Sequence, residues 1–138
     1  MSSKFDSNKD YSSLYYYATR DDRINIINIC YENNKMFDVY VNRRNIIQDM
    51  FILACEINKI EIVKWIYDKN KNNINIRQYN EEIFRFVCKN EYIELAQWLY
   101  SVGNVDIHIG NEHVFLAACC YGHIEIAKWL YSLGDVNI

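Results

Sequence analysis

Few residues in this chain could do chemistry. Cys120 lies beside Tyr121 and three residues before His123, a spacing that raises a cysteine nucleophile with a histidine base. Such a pair needs a third group to orient the base and donors for an oxyanion. Nothing nearby resembles either, and the spacing suits a helix end. His108, His113 and His123 could hold a metal, but a zinc site needs further ligands at close spacing, and none stands there. The chain has no glycine-rich phosphate loop, no H-E-x-x-H helix and no nucleophile motif. The expectation is no enzyme, no cofactor and no metal site. Arg43-Arg44 could receive an acidic partner, against the plainer reading of a solvated turn. Trp65, Trp98 and Trp129 could box a ligand, but at their fixed interval they are expected to pack second helices together.

The elements that carry these residues come from one template. Phe51–Tyr67 returns as Phe84–Tyr100 and as Phe115–Tyr131, 33 and then 31 residues on. Cys55/Cys88/Cys119, Glu61/Glu94/Glu125 and the tryptophans keep the same intervals. A period in this range signals stacked repeats. In the first half of each copy, Phe51, Ala54 and Cys55, with their counterparts, recur at helical spacing. A polar break follows at Asn58-Lys59, Glu91-Tyr92 and Gly122-His123. The second half repeats the pattern through Ile62, Val63 and Ile66. Its other side carries Glu61 and Lys64, Glu94 and Gln97, Glu125 and Lys128, which is a solvated face. Each unit is a helix, a tight turn and a second helix. Two short helices must stack on the next pair to bury both faces.

Residues 1–10 read as a flexible tail. Tyr11 to about Val41 looks like a worn first copy, with a helix through Leu14, Tyr15, Tyr17 and Ala18. A turn at Asp21-Asp22 follows, then a second helix through Ile24, Ile26, Ile27 and Cys30. Between units, residues 73–76 and 106–109 alternate with period two, as extended segments do. Ile74, Ile107 and Ile138 keep the 33 and 31 intervals, but Phe84 follows Ile74 by 10 residues and Phe115 follows Ile107 by 8. The length difference is therefore placed in the projecting loop, where binding usually resides.

The chain has 138 residues, a net charge of -3 and 51% apolar residues. That is one domain with enough apolar residues for a core. Its mild charge leaves no footprint for nucleic acid or an anionic membrane. No stretch reaches the roughly 20 apolar residues of a membrane span. The polar start, MSSKFDSNKDYSS, lacks a signal peptide's apolar run, so the protein is expected to be intracellular. Five cysteines form an odd set. Cys55, Cys88 and Cys119 read as small buried thiols in a reducing compartment, and Cys120 as facing solvent.

Tyr121 to Leu130, with its Gly-His turn, resembles the ankyrin repeat, a unit of about 33 residues. Asp106-Ile107-His108 resembles that family's hairpin start. Gly134 and Gly103 fall at its helix-ending glycine, an αL position. The family's Thr-Pro-Leu-His opening is missing: those positions read Asp49-Met50-Phe51-Ile52, Glu82-Ile83-Phe84-Arg85 and His113-Val114-Phe115-Leu116. The cap is assigned instead to Asn80 and Asn111. The Trp-Leu-Tyr-Ser endings and the Asn/Ile/Tyr-heavy composition resemble the ankyrin arrays of giant DNA viruses of amoebae.

The resemblance implies an all-α ankyrin-repeat solenoid of helix-turn-helix pairs with short β-hairpin loops. It divides the domain, 11–138, into a degenerate first repeat at about 11–46, a second at 47–79, a third at 80–110 and a fourth at 111–138 without a polar cap. It implies a partner protein held by hairpin tips and the concave face of first helices. The matching loop residues are Arg43, Arg44, Arg77, Gln78, Tyr79, His108, Gly110 and Asn111. From the first helices come Glu56, Ile57, Arg85, Lys89, Asn90, Cys120 and Tyr121. Tyr79 and Tyr121 are the expected anchors, because interface energy concentrates in aromatic residues and arginine. The viral resemblance implies a host protein as partner and the host cytoplasm as location, with the nucleus still open. No nucleic acid, membrane or cofactor is expected. The alternative is a self-associating fragment of a longer array, meeting its copy through the uncapped C-terminal end at Ala117, Cys120, Leu130 and Leu133.

Overall fold

The computed structural model describes residues 12–33 and 44–134. The expected tail (1–10), Arg43 and Ile138 lie outside the described residues. Those described are helical, with no strand among them: α1 Ser12–Tyr16, α2 Arg20–Glu32, α3 Arg44–Glu56, α4 Ile60–Asn70, α5 Gln78–Lys89, α6 Ile93–Gly103, α7 Ile109–Cys120 and α8 Ile124–Ser132. A 3-10 turn, Lys71–Asn73, follows α4. The chain divides into two compact units, Met1–Ile74 and Asn75–Ile138.

In the first unit α3 packs on α4, on α2 and on α1. Ile27, Phe51, Ala54, Val63 and Ile66 are each 0% exposed. A buried Phe or Ile side chain contributes roughly 1.5–3 kcal/mol, so these few residues outweigh the surface ion pairs. The phenol of Tyr15, 1% exposed, donates to Asp49 Oδ2. Arg23 donates to the carbonyls of Tyr15 and Tyr16 at 3.1 and 2.7 Å and stands 3.4 Å from Asp49. Burial raises the Tyr15 pKa, and the Asp49 carboxylate adds to the rise. Asp21 and Asp22 do not form the turn expected of them. They lie in the first turn of α2, whose cap is Thr19, Oγ1 accepting from the Asp22 N–H at 3.2 Å. Acidic residues there are favoured by the helix dipole.

The second unit holds two helix pairs, α5/α6 and α7/α8, with α5 packed on α7. Phe84, Val87, Leu95, Ala96 and Leu99 are each 0% exposed. In both units the first helix of a pair ends the same way. The N–H groups of Lys59, Tyr92 and His123 donate to the carbonyls of Ala54, Val87 and Ala118 at 3.1, 3.0 and 2.8 Å. The residues before them, Asn58, Glu91 and Gly122, take φ of 55°, 61° and 73°. This is a left-handed helix stop closing a six-residue ring, at the polar breaks read from the sequence. Glu61, Lys64, Glu94, Gln97, Glu125 and Lys128 are all exposed.

The tryptophans are half-buried, and Trp65 and Trp129 are each met by a tyrosine of the preceding second helix in the same unit. Tyr31 meets Trp65 edge-on at 5.4 Å and Tyr100 meets Trp129 at 5.8 Å. Gly103 is not the left-handed cap. Asn104 is, at φ 51°. Gly103 is needed for space, since a Cβ there would fall 2.6 Å from Cγ2 of Ile76. Cys119 is exposed, unlike Cys55 and Cys88, and so is not the buried thiol its interval suggested. Leu130 is buried at 1%, so it does not belong to an uncovered end. Leu116, Ile124 and Tyr131 are exposed in the last helix pair, at 43%, 61% and 64%.

The projecting turns also differ from expectation. The N–H of Arg77 donates to Asn75 Oδ1 at 3.0 Å, and the N–H of His108 to Asp106 Oδ1 at 2.9 Å. These side-chain turns replace the longer extended stretch that the alternating isoleucines suggested. They pair Ile76 with Ile107, both buried, so Ile74 is not Ile107's counterpart. From this turn to Phe84 and Phe115 the two copies have equal length. The two extra residues sit earlier, in the 3-10 turn that follows α4. After each turn come three left-handed residues: Tyr79, Asn80 and Glu81 at φ 53°, 55° and 63°, then Gly110, Asn111 and Glu112 at φ 64°, 55° and 67°. An N-cap is typically extended; Asn80 and Asn111 are not, so they do not cap. The left-handed turn swings Glu81 and Glu112 inward to 1% and 5% exposure. Arg77 then pairs with Glu81, and His108 with Glu112.

Two measurements check this geometry. Burial pushes the Cys30 and Cys88 thiols up to about 12 and Cys55 higher still. At about pH 8 a thiol reagent should label Cys119 and Cys120 in the native chain, and the other three only after denaturation. Rapid native labelling of Cys55 would contradict the packing. The second concerns Tyr79, left-handed where the next copy has Gly110. Tyr79→Gly relieves about 1–2 kcal/mol and costs about 0.5–1 kcal/mol through the unfolded chain. A net gain of about 0.5–1 kcal/mol is expected in urea unfolding, and a net loss would mean the turn is not strained.

Candidate functional site

A concavity of the second unit lies between α5 and α7 and has a volume of about 310 Å³. Helical spacing aligns Glu82, Arg85, Phe86 and Lys89 along α5. His113, Ala117 and Tyr121 face them from α7, and all seven line the groove. The small Ala117 stands where α5 has Phe86, which leaves room between the helices. A second concavity, lined by Asn80, Arg85, Ile109, Gly110 and His113, carries the groove on to the left-handed turns.

Arg85 is held in place. Its Nε donates to the carbonyl of Asn80 at 3.0 Å, and its Nη2 to that of Tyr79 at 3.3 Å. Both carbonyls belong to left-handed residues of the turn. Three of the guanidinium's five N–H groups remain for a ligand. Tyr79 itself is 69% exposed. At the far end Tyr121, 65% exposed, stacks on His123 with centroids 6.0 Å apart. His123 Nδ1 reaches Glu91 Oε1 at 3.1 Å, which ties two successive helix stops together.

The expected partner-binding residues divide into three groups. Arg85, Lys89 and Tyr121 come together in the groove, with Tyr79 coupled to it through Arg85. Arg77 and His108 are engaged within the turns: Arg77 pairs with the buried Glu81, and His108 Nδ1 meets the buried Glu112. Without its cation, Glu81 would be a buried bare carboxylate, and its Oε2 already lacks a protein donor, at a cost of about 1–3 kcal/mol. The rest lie away from the groove lining. Glu56 is paired with Arg20 at 3.5 Å. Ile57 and Gln78 are half-buried, and Asn111 and Cys120 are exposed. Asn90 closes α5, its Nδ2 donating to the Phe86 carbonyl at 2.8 Å. Arg44 begins helix α3 and is not in a loop. Glu82, Phe86, His113 and Ala117 were missed by the sequence reading, although their helical spacing from Arg85 and Tyr121 was there to find.

Among the described residues no group of three or more His, Cys, Asp or Glu could hold a metal, and no helix is long and apolar enough to cross a membrane. Comparison with curated proteins gave no match, nor did comparison with solved structures. A family profile described as ankyrin repeats, three copies, matches residues 50–138. That is well over half of the chain, and with the paired helices and repeated helix stops it places the protein in the ankyrin repeat family.

Proposed function

We propose that this chain is a non-catalytic docking module that holds a partner protein at its turn tips and on the face formed by its first helices. Ankyrin repeats are generally protein–protein interaction modules and typically lack catalysis, which supports the class. The observation that carries the reading is Tyr79, an aromatic residue 69% exposed in a left-handed conformation at φ 53°. Burial does not explain it, and glycine would relieve the backbone. Exposed strain of this kind suits a side chain kept for contact. Tyr121, which lines the groove and is 65% exposed, supplies the second aromatic anchor. If the resemblance to giant-virus arrays reflects origin, the partner is a host protein met in the host cytoplasm.

A second reading is self-association. Leu116, Ile124 and Tyr131 lie exposed at the last helix pair, an apolar set that a second copy could cover. Light scattering across a concentration series tests it. A dimer that Leu116→Glu disperses supports the reading, and a monomer at high concentration rejects it.

Docking is tested by affinity capture with the wild type and with a Tyr79→Gly/Tyr121→Ala variant. The variant should retain its thermal midpoint within a few degrees. It should lose at least about tenfold in recovery of a partner that depends on the two anchors. Equal recovery of every captured protein by the folded variant would show that this surface does not bind.

A further inference from the structure

The charges of the second unit are unevenly placed, and this points to the chemistry of what the groove receives. Asn75–Ile138 has four cations, Arg77, Arg85, Lys89 and Lys128, against eight carboxylates. Arg77 is committed to Glu81. Lys128 lies exposed on α8. The other two stand together on one face of α5 and line the groove, where Glu82 is the single carboxylate among the described lining residues. Among the described residues neither Arg85 nor Lys89 is paired with a carboxylate. The first unit's corresponding concavity is different: there Arg20 meets Glu56 and Arg23 meets Asp49. Its cations are cancelled internally, and those of the α5–α7 groove are not.

Comparison of the two copies within the second unit isolates these residues. Asn75/Asp106, Ile76/Ile107, Glu81/Glu112, Phe84/Phe115 and Cys88/Cys119 keep the side-chain type or its role at an interval of 31. Tyr79, Arg85 and Lys89 become Gly110, Leu116 and Cys120 at that interval. The copies fold alike without them, so folding does not demand them.

We infer that the α5–α7 groove receives an extended acidic segment of a partner protein, with carboxylates at alternate positions and apolar residues between them. Arg85 and Lys89, four apart on a helix, have Cβ atoms about 6 Å apart. Side chains two apart on an extended strand are separated by about 6.6 Å. One face of such a strand therefore places two carboxylates against α5. The intervening side chains then turn to the opposite wall, where Ala117 and Tyr121 offer apolar surface. A polyanion such as nucleic acid fits less well, because carboxylates outnumber cations two to one over the unit as a whole. This inference rests on the docking reading and specifies its ligand.

The test uses the whole chain and fluorescein-labelled peptides with a Glu-Leu-Glu-Leu core flanked by Gly-Ser, read by fluorescence anisotropy. Controls carry Gln-Leu, Lys-Leu or phosphoserine-Leu cores, and an oligo-dT probe represents nucleic acid. The acidic peptide should bind at least about fivefold tighter than the glutamine peptide and should weaken as salt rises from about 50 to about 300 mM. Lys89→Glu, at an exposed position, should shift preference toward the Lys-Leu peptide. Arg85→Gln should weaken acidic binding, and if its loss of turn contacts unfolds the chain, Lys89→Glu carries the test alone. Equal binding of the glutamate and glutamine peptides would overturn the inference, as would an unchanged preference in Lys89→Glu. Stronger binding of phosphoserine peptide or oligo-dT would overturn the carboxylate assignment. Should affinity capture still depend on Tyr79 and Tyr121 while the acidic peptide fails, docking stands and only this inference falls.

Discussion

A helix of 11 or 12 residues, the length of α4 to α7, is marginal alone in water. What makes these helices persist is a buried face: Phe51 and Val63 in one unit, Phe84 and Leu99 in the other, all at 0% exposure. A helix pair has more apolar surface than it can cover by itself, so the pairs α5/α6 and α7/α8 settle against each other. The other features serve that stacking. The left-handed stops at Asn58, Glu91 and Gly122 reverse the chain within a few residues. Gly103 lets α6 approach Ile76. The exposed second-helix face carries only charges that water can reach.

Stacking leaves the projecting turns under-determined, and the protein fixes them with electrostatics. Three consecutive left-handed residues are costly for side chains other than glycine. The burial of Glu81 and Glu112 would add to that cost if they lacked partners. An arginine or histidine four residues earlier meets each carboxylate, and an asparagine or aspartate before it sets the turn. The two copies reach one geometry with different residues, Asn75-Ile76-Arg77 and Asp106-Ile107-His108. What repeats is therefore the arrangement of donor and acceptor, more than the letters.

This explains which parts of the molecule were legible in the sequence. From Phe51 onward the helix pairs and polar breaks follow from right-handed helical periodicity, whereas the first helix ends at Tyr16 with Leu14 and Tyr17 exposed, not the apolar side read from the sequence. A left-handed turn has no such signature. Arg77 and His108 were assigned to a partner by their match to the family's hairpin tips, and nothing in that match signals their contacts with Glu81 and Glu112. The equal interval of 31 between Glu81 and Glu112 was visible, but not that both point inward. The cysteine column misled as well: Cys119 keeps the interval of Cys55 and Cys88 but is exposed, so a shared interval does not by itself secure burial. The residues that line the groove opposite Arg85 were hidden only by attention to type over spacing.

The same separation of roles bears on how such a scaffold acquires binding. Positions that hold the stack are constrained by volume and positions that hold the turn by charge, so neither can vary freely. Arg85 sits at the boundary. Two of its N–H groups satisfy turn carbonyls and the rest are free, so the turn orients the guanidinium before any ligand arrives. A pre-oriented cation loses less side-chain entropy on binding than a free one, a saving of about 0.5–1.5 kcal/mol. Lys89 has no such tether and contributes charge without fixed direction. The groove thus combines one directed donor, one untethered cation and the aromatic Tyr121, with Tyr79 beside the turn that holds Arg85. Such a combination favours ligands that match its spacing over ligands that are merely anionic.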